Sequence, residues 1–93
     1  MTQEDLEVLR TQIDELDELI IALLAKRFVL SRATLREKGD YVRDANREVA
    51  VREHVAQVAE RLGLDPRYAA AVYDVVLRIS VEIQDESRKL RAV

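Results

Sequence analysis

The stretch QEDLEVLRTQIDELDELIIALLAKRFVLSRATLREK, residues 3–38, contains neither glycine nor proline. Its apolar residues Leu6, Leu9, Ile13, Leu16, Ile20, Leu23, Leu24 and Leu30 recur mostly at spacings of three and four, the period of one face of an α-helix. The spacing predicts one long amphipathic helix over about 3–38. Thr2-Gln3-Glu4-Asp5 offers a cap and first-turn acids. Gly39 is a natural stop, and Lys38 sits favourably beside the carbonyl end of the helix dipole. At about 1.5 Å per residue such a helix runs to roughly 50 Å, too long for one small globule to cover. The uncovered length of its apolar stripe needs a partner, and a second copy of the chain is the simplest one.

Working outward, the short polar loop Asp40-Tyr41-Val42-Arg43 leads to a second helical segment over about 45–62. Val51, Val55, Val58 and Leu62 form its stripe, Asp44 is its N-cap, and Gly63 ends it. Asp65-Pro66 then reads as an N-cap followed by proline at the first helical position. The third helix is expected over about 66–90, with Val72, Val76, Ile79 and Ile83 on one face. No repeat or low-complexity tract interrupts this order. The expectation is an all-α chain, one domain over residues 1–93, with three helices that are long, short and medium.

Composition agrees. Hydrophobic residues make up 48% but aromatics only 4%, and 2 glycines with 1 proline favour helices over turn-rich sheet. A chain of this size buries roughly 60–65% of its unfolded surface, so alone it would be marginal, a second argument for pairing. The net charge of −3 argues against nucleic acid or an anionic membrane as partners, so any anion must be held by locally focused cations. The absence of cysteine excludes disulfides and thiolate metal sites and leaves the redox compartment open. The acidic, polar first residues lack a signal-peptide pattern, and no apolar run approaches the roughly 18–20 residues that span a bilayer. A soluble cytoplasmic protein is expected.

Several polar residues fall where the pattern wants apolar ones. On a helical wheel Arg27 shares its direction with Leu9, Leu16, Ile20 and Leu23, and Lys38 lies about 20° from Arg27. An unpaired cation buried on that face costs several kcal/mol, and the ordinary reading for either one is snorkelling or pairing with an acid. Arg10 points about 100° away, towards the flank where a partner helix would pack. Asp44, Arg47 and Glu48 share one end of the second helix, which ordinarily means capping and first-turn electrostatics, yet Arg47 lies on the face of Val51, Val55 and Val58. Ser80 and Gln84 are neighbours one turn apart, on one side with Tyr73 and Leu77, a pairing that is commonly structural. His54, the only histidine, falls near the Val51/Val58 face with no ligand cluster around it, and reads as a half-buried structural residue. No phosphate loop and no nucleophile–base set is present.

Each signal alone has an ordinary explanation. Together, three helices direct Arg27, Lys38, Arg47, Glu48, Ser80 and Gln84 towards one apolar interior. Such a set suits a small dianion bearing a hydroxyl. It offers guanidinium forks for carboxylates, a carboxylate acceptor for the hydroxyl, and donors for an oxygen that gains charge.

The order of these pieces resembles the all-helical chorismate mutase family over about Leu6 to Leu90. The resemblance rests on Leu9-Arg10-x-x-Ile13-Asp14-x-Leu16-Asp17, Leu23-Leu24-Ala25-Lys26-Arg27, and Lys38 eleven residues further. It continues through Val42-Arg43-Asp44-x-x-Arg47-Glu48 and Ser80-Val81-x-x-Gln84. It implies an intertwined helical homodimer that rearranges chorismate to prephenate, in aromatic amino-acid biosynthesis, without cofactor or metal. It further implies that Arg27, with Arg10 from the other subunit, grips the two substrate carboxylates, and that Arg47 and Ser80 add carboxylate or ordering contacts. Glu48, with the backbone N–H near Asp44, would receive the ring hydroxyl, and Lys38 and Gln84 would be the catalytic donors to the ether oxygen. Some small members are boosted by a larger shikimate-pathway enzyme, which makes such an enzyme a candidate activating partner.

Two departures matter. The loop between Lys38 and Arg43 is short, and Thr34 stands where relatives often carry an aliphatic residue. The Thr34 hydroxyl leaves room for a related substrate. Rival readings are therefore rearrangement of 4-amino-4-deoxychorismate, in an antibiotic or aminophenylalanine pathway, and elimination of pyruvate from isochorismate. The second ranks lower, because lyase-type relatives lack a clear Asp-x-x-Arg-Glu motif. A non-catalytic helical interaction module is the rival from another class.

Overall fold

The computed structural model describes residues 2–38 and 44–91, with the side chains of 36–38 and 91 outside the described set. Three helices follow in order: α1 (Gln3–Lys38), α2 (Ala45–Arg61) and α3 (Pro66–Arg91), with no strand among the described residues. The expected Gly39 stop and the loop of residues 40–43 lie outside the described residues. The chain divides into two compact units, Met1–Leu30 and Ser31–Val93.

The first unit is a single run of helix. Thr2 and Asp5 exchange bonds at its start: the Asp5 N–H donates to Thr2 Oγ1 and the Thr2 N–H donates to the Asp5 carboxylate, both at 3.1 Å. This reciprocal box satisfies two donors that a helix start leaves over, and the Thr2 N–H and hydroxyl hold the Asp5 carboxyl below its usual value. No described residue of this unit is buried; Leu6, Leu24, Arg27 and Phe28 are half-buried. Leu9, Ile13, Leu16, Ile20, Leu23 and Leu30 are all exposed, at 41–66%. From Leu9 to Leu23 their positions alternate in steps of four and three, and Leu30 follows one heptad later across Arg27, the spacing of a seam by which one helix packs along another.

In the second unit α2 packs against α3. Asp44, in extended backbone, accepts the Arg47 N–H at 3.0 Å and is the N-cap the sequence predicts. At the other end Leu62 is the C-cap, Gly63 adopts φ 77°, the Leu64 N–H donates to Ala59 O at 2.9 Å and the Gly63 N–H to Glu60 O at 3.2 Å. These two bonds form a Schellman closure, which requires a left-handed residue at position 63. A Cβ placed on Gly63 meets nothing within 4 Å, so the cost of a side chain there is backbone strain alone. Gly63→Ala is therefore expected to lower unfolding free energy by about 1–2 kcal/mol, measured by urea titration. An unchanged midpoint would show that the left-handed turn is not required.

Asp65 caps α3. Its Oδ1 accepts the Arg67 N–H at 2.9 Å, and Arg67 Nη2 meets Oδ2 at 2.7 Å. The Arg67 side chain first, and its N–H second, hold the Asp65 carboxyl below its usual value. Pro66 occupies the first helical position, where a missing N–H costs nothing.

The core of this unit is Leu35, Val51, Ala59, Ala69, Val76 and Leu77, with Ser80 and Gln84 buried beside them. Leu35, from the last turns of α1, is the most deeply buried at 1% exposure. Three expectations need correcting. Leu62 is 72% exposed, because as the C-cap it has already left the helical stripe of Val51, Val55 and Val58. In α3 Val72 is exposed and Ile79 and Ile83 only half-buried, whereas Ala69, Val76, Leu77, Ser80 and Gln84 face inward. The buried arc is turned towards the polar pair, since those groups find partners across the unit. His54 is exposed rather than half-buried.

Candidate functional site

The polar residues of α3 meet the last turns of α1. Ser80 Oγ donates to Val76 O at 3.0 Å, one turn back on its own helix, and accepts from Ser31 Oγ at 3.3 Å. Gln84 Nε2 donates to Ser31 O at 2.6 Å and to Thr34 Oγ1 at 2.9 Å. Thr34 Oγ1 in turn donates to Ser31 O at 2.7 Å. Ser31 is therefore the hub, with its hydroxyl turned to Ser80 and its carbonyl receiving both Gln84 and Thr34. At 8% and 6% exposure, Ser80 and Gln84 would each lose about 1–3 kcal/mol if left without partners. Among the described residues no buried side-chain polar atom lacks a hydrogen bond.

These contacts fix the orientation of the Gln84 amide. A backbone carbonyl only accepts, so the atom facing Ser31 O must be nitrogen. The Thr34 hydroxyl hydrogen is directed to Ser31 O, so its lone pairs face Gln84 and again require nitrogen. Gln84 thus presents donors to the α1 side of the unit, and a donor of this kind can stabilise an oxygen carrying negative charge.

At the α2 start Asp44 and Arg47 are exposed and Glu48 is half-buried. The Asp44 carboxylate is engaged in capping, the ordinary role its position suggests. Lys38 ends α1, and its side chain lies outside the described residues. In the first unit Arg27 is half-buried and Arg10 exposed, with Arg10 Nη1 3.2 Å from Glu7 Oε1. The structure thus joins Ser80 and Gln84 through α1 and sets Asp44, Arg47 and Glu48 on the first turn of α2 or beside it. Sequence reasoning missed Ser31. A wheel places it about 40° from Arg27 and one turn before Leu35, a signal that was available. Outside the site, Arg52 of α2 pairs with Asp74 of α3 on the surface.

Among the described residues no cluster of three His, Cys, Asp or Glu side chains is placed to hold a metal ion, and no described helix is long and apolar enough to cross a membrane.

Among the described residues the chain is all-helical, and its third helix aims a primary amide donor at the last turns of its first. A family model described as chorismate mutase type II matches residues 9–85, and the chain belongs to that family. It is an isomerase. Comparisons with curated proteins and with solved structures give no match.

Proposed function

We propose that this chain rearranges chorismate to prephenate, as a step of aromatic amino-acid biosynthesis, in a site completed by a second copy of itself. The observation that carries the reading is Gln84, buried beside Ser80 with its donor nitrogen fixed outward from α3. The reaction breaks a C–O bond while a C–C bond forms, in one concerted shift. It needs no nucleophile and no proton transfer. What a protein supplies is a compact conformer, with the enolpyruvyl arm held over the ring, and donors that bind the ether oxygen more strongly as its charge grows.

In this reading Arg27 and Arg47, with Arg10 from the second copy, hold the two carboxylates, and Ser80 orders that region. Glu48 and the backbone N–H near Asp44 receive the ring hydroxyl. Lys38 and Gln84 donate to the ether oxygen. The match over residues 9–85 spans both compact units, which supports treating residues 1–93 as one functional domain.

The second copy is argued from α1. Six exposed apolar residues in heptad spacing form a seam suited to another helix. Burying them contributes on the order of 10 kcal/mol at about 1.5–3 kcal/mol per side chain, comparable to the cost of association. Cytoplasmic location and an activating shikimate-pathway enzyme belong to the same proposal.

Glu48 would accept from an ammonium group as readily as from a hydroxyl, so 4-amino-4-deoxychorismate is the competing substrate. Incubation with each compound separately, followed by chromatography of the products, is expected to show faster turnover of chorismate. Faster turnover of the amino compound would replace it as the substrate.

A further inference from the structure

The Gln84 amide nitrogen has two hydrogens, and α1 takes both: one goes to Ser31 O at 2.6 Å and the other to Thr34 Oγ1 at 2.9 Å. If Gln84 donates to the ether oxygen, one of these bonds must be given up when substrate binds. The inference that follows rests on the proposed role of Gln84.

The two bonds are not equivalent. Ser31 O belongs to a half-buried residue of the helix and cannot move without α1, whereas Thr34 is exposed. Releasing the Ser31 bond would free the amide to turn and present its oxygen. Releasing the Thr34 bond leaves nothing unsatisfied. The Thr34 hydroxyl keeps its own bond to Ser31 O, water can reach it because Thr34 is exposed, and Gln84 stays anchored through its first hydrogen. The Ser31 contact is the shorter of the two as well.

We infer that Thr34 is a positioning residue for the reaction: its hydroxyl oxygen is the resting acceptor for the second Gln84 hydrogen and is replaced by the ether oxygen of the substrate. Thr34 thereby keeps Gln84 in the donor orientation while the site is empty, and its bond is the one exchanged on binding. An aliphatic side chain at position 34 would leave the amide anchored on Ser31 O with its second hydrogen no longer held by position 34. Water would take that hydrogen in the empty site, but a mobile water is displaced more easily than a hydroxyl fixed on Ser31 O.

The exchange affects the free enzyme and neither of the later states. Its signature is a change in KM without a change in kcat. Thr34→Val is expected to lower KM about threefold, the scale of one net hydrogen bond, with kcat held within about twofold. Thr34→Ser, which restores the acceptor, is expected to return KM to the wild-type value. A merely structural role would lower kcat and thermal stability in Thr34→Val and leave KM alone. That result, or no change in either constant, overturns the inference. Gln84→Ala, assayed beside them, separates the two levels. If Gln84→Ala is inactive while Thr34→Val behaves as wild type, the resting-acceptor role alone is wrong. If Gln84→Ala turns over normally, the donor role of Gln84 falls and the Thr34 inference falls with it.

Discussion

Gln84→Glu is expected to be nearly inactive at neutral pH and to regain activity as the solution is acidified. The position is 6% exposed, and the atom facing it from α1 at 2.6 Å is the Ser31 carbonyl oxygen, which cannot donate. An ionised carboxylate there faces a fixed acceptor and loses its hydration, and both effects favour the protonated acid. Only the acid carries a hydrogen to give to the ether oxygen. Loss of one such donor costs on the order of 10²–10³ in kcat. The sign for stability is the same. The carboxyl is raised above its unfolded value of about 4.3, so the folded state holds the proton more tightly than the unfolded chain. Stability is therefore greatest below the unfolded value and is lost as pH rises through the folded one. A profile of kcat against pH, with thermal midpoints over the same range, checks both. Undiminished turnover at neutral pH would remove Gln84 from the reacting oxygen.

The second large effect concerns the proposed second copy of the chain. Arg10→Ala and Lys38→Ala are each expected to be almost inactive, while a re-equilibrated mixture of the two regains activity. Arg10 is exposed on the first unit and meets Glu7 three residues away. An exposed pair of this kind is worth about 0–1 kcal/mol, so it does not hold Arg10 back from a carboxylate with better geometry. If Arg10 serves the site of the other copy, a mixed dimer contains one site with both Lys38 and Arg10 and one with neither. Random pairing of equal amounts restores about a quarter of the wild-type sites. Recovery on mixing, read by chorismate consumption, is the expected outcome. Absence of recovery would place Arg10 in its own subunit's site or outside any site.

The helices were legible because their signals are local. Residues 3–38 lack any breaker, Asp44 and Asp65 precede their helices as caps, Pro66 opens α3, and Gly63 supplies the left-handed turn. Which side of α3 is buried was less legible. The apolar period pointed to Val72, Val76, Ile79 and Ile83, but Ser80 and Gln84 turn inward because Ser31 and Thr34 satisfy them across about fifty residues of sequence. No local pattern encodes that pairing.

Leu35 and Ser31 were missed for a related reason. Leu35 falls outside the run of three- and four-residue steps that ends at Leu30, and Ser31 is a small polar residue with no apolar signal of its own. The polar set was visible as misplaced charge and amide. Order and spacing along the chain, more than any single position, point to the chorismate mutase family, whose type II model matches residues 9–85.

The central claim is that a buried amide on α3, fixed as a donor by α1, assists the rearrangement of chorismate. Its most direct test is chorismate consumption by the wild-type chain beside Gln84→Ala, with circular dichroism confirming that both are helical. Removing Gln84 leaves Ser31 O still bonded to the Thr34 hydroxyl, so the variant is expected to fold. Prephenate formation by the wild type, with at least a hundredfold loss in the variant, is the predicted result. Equal turnover by both, or no turnover by a folded wild type, would contradict it.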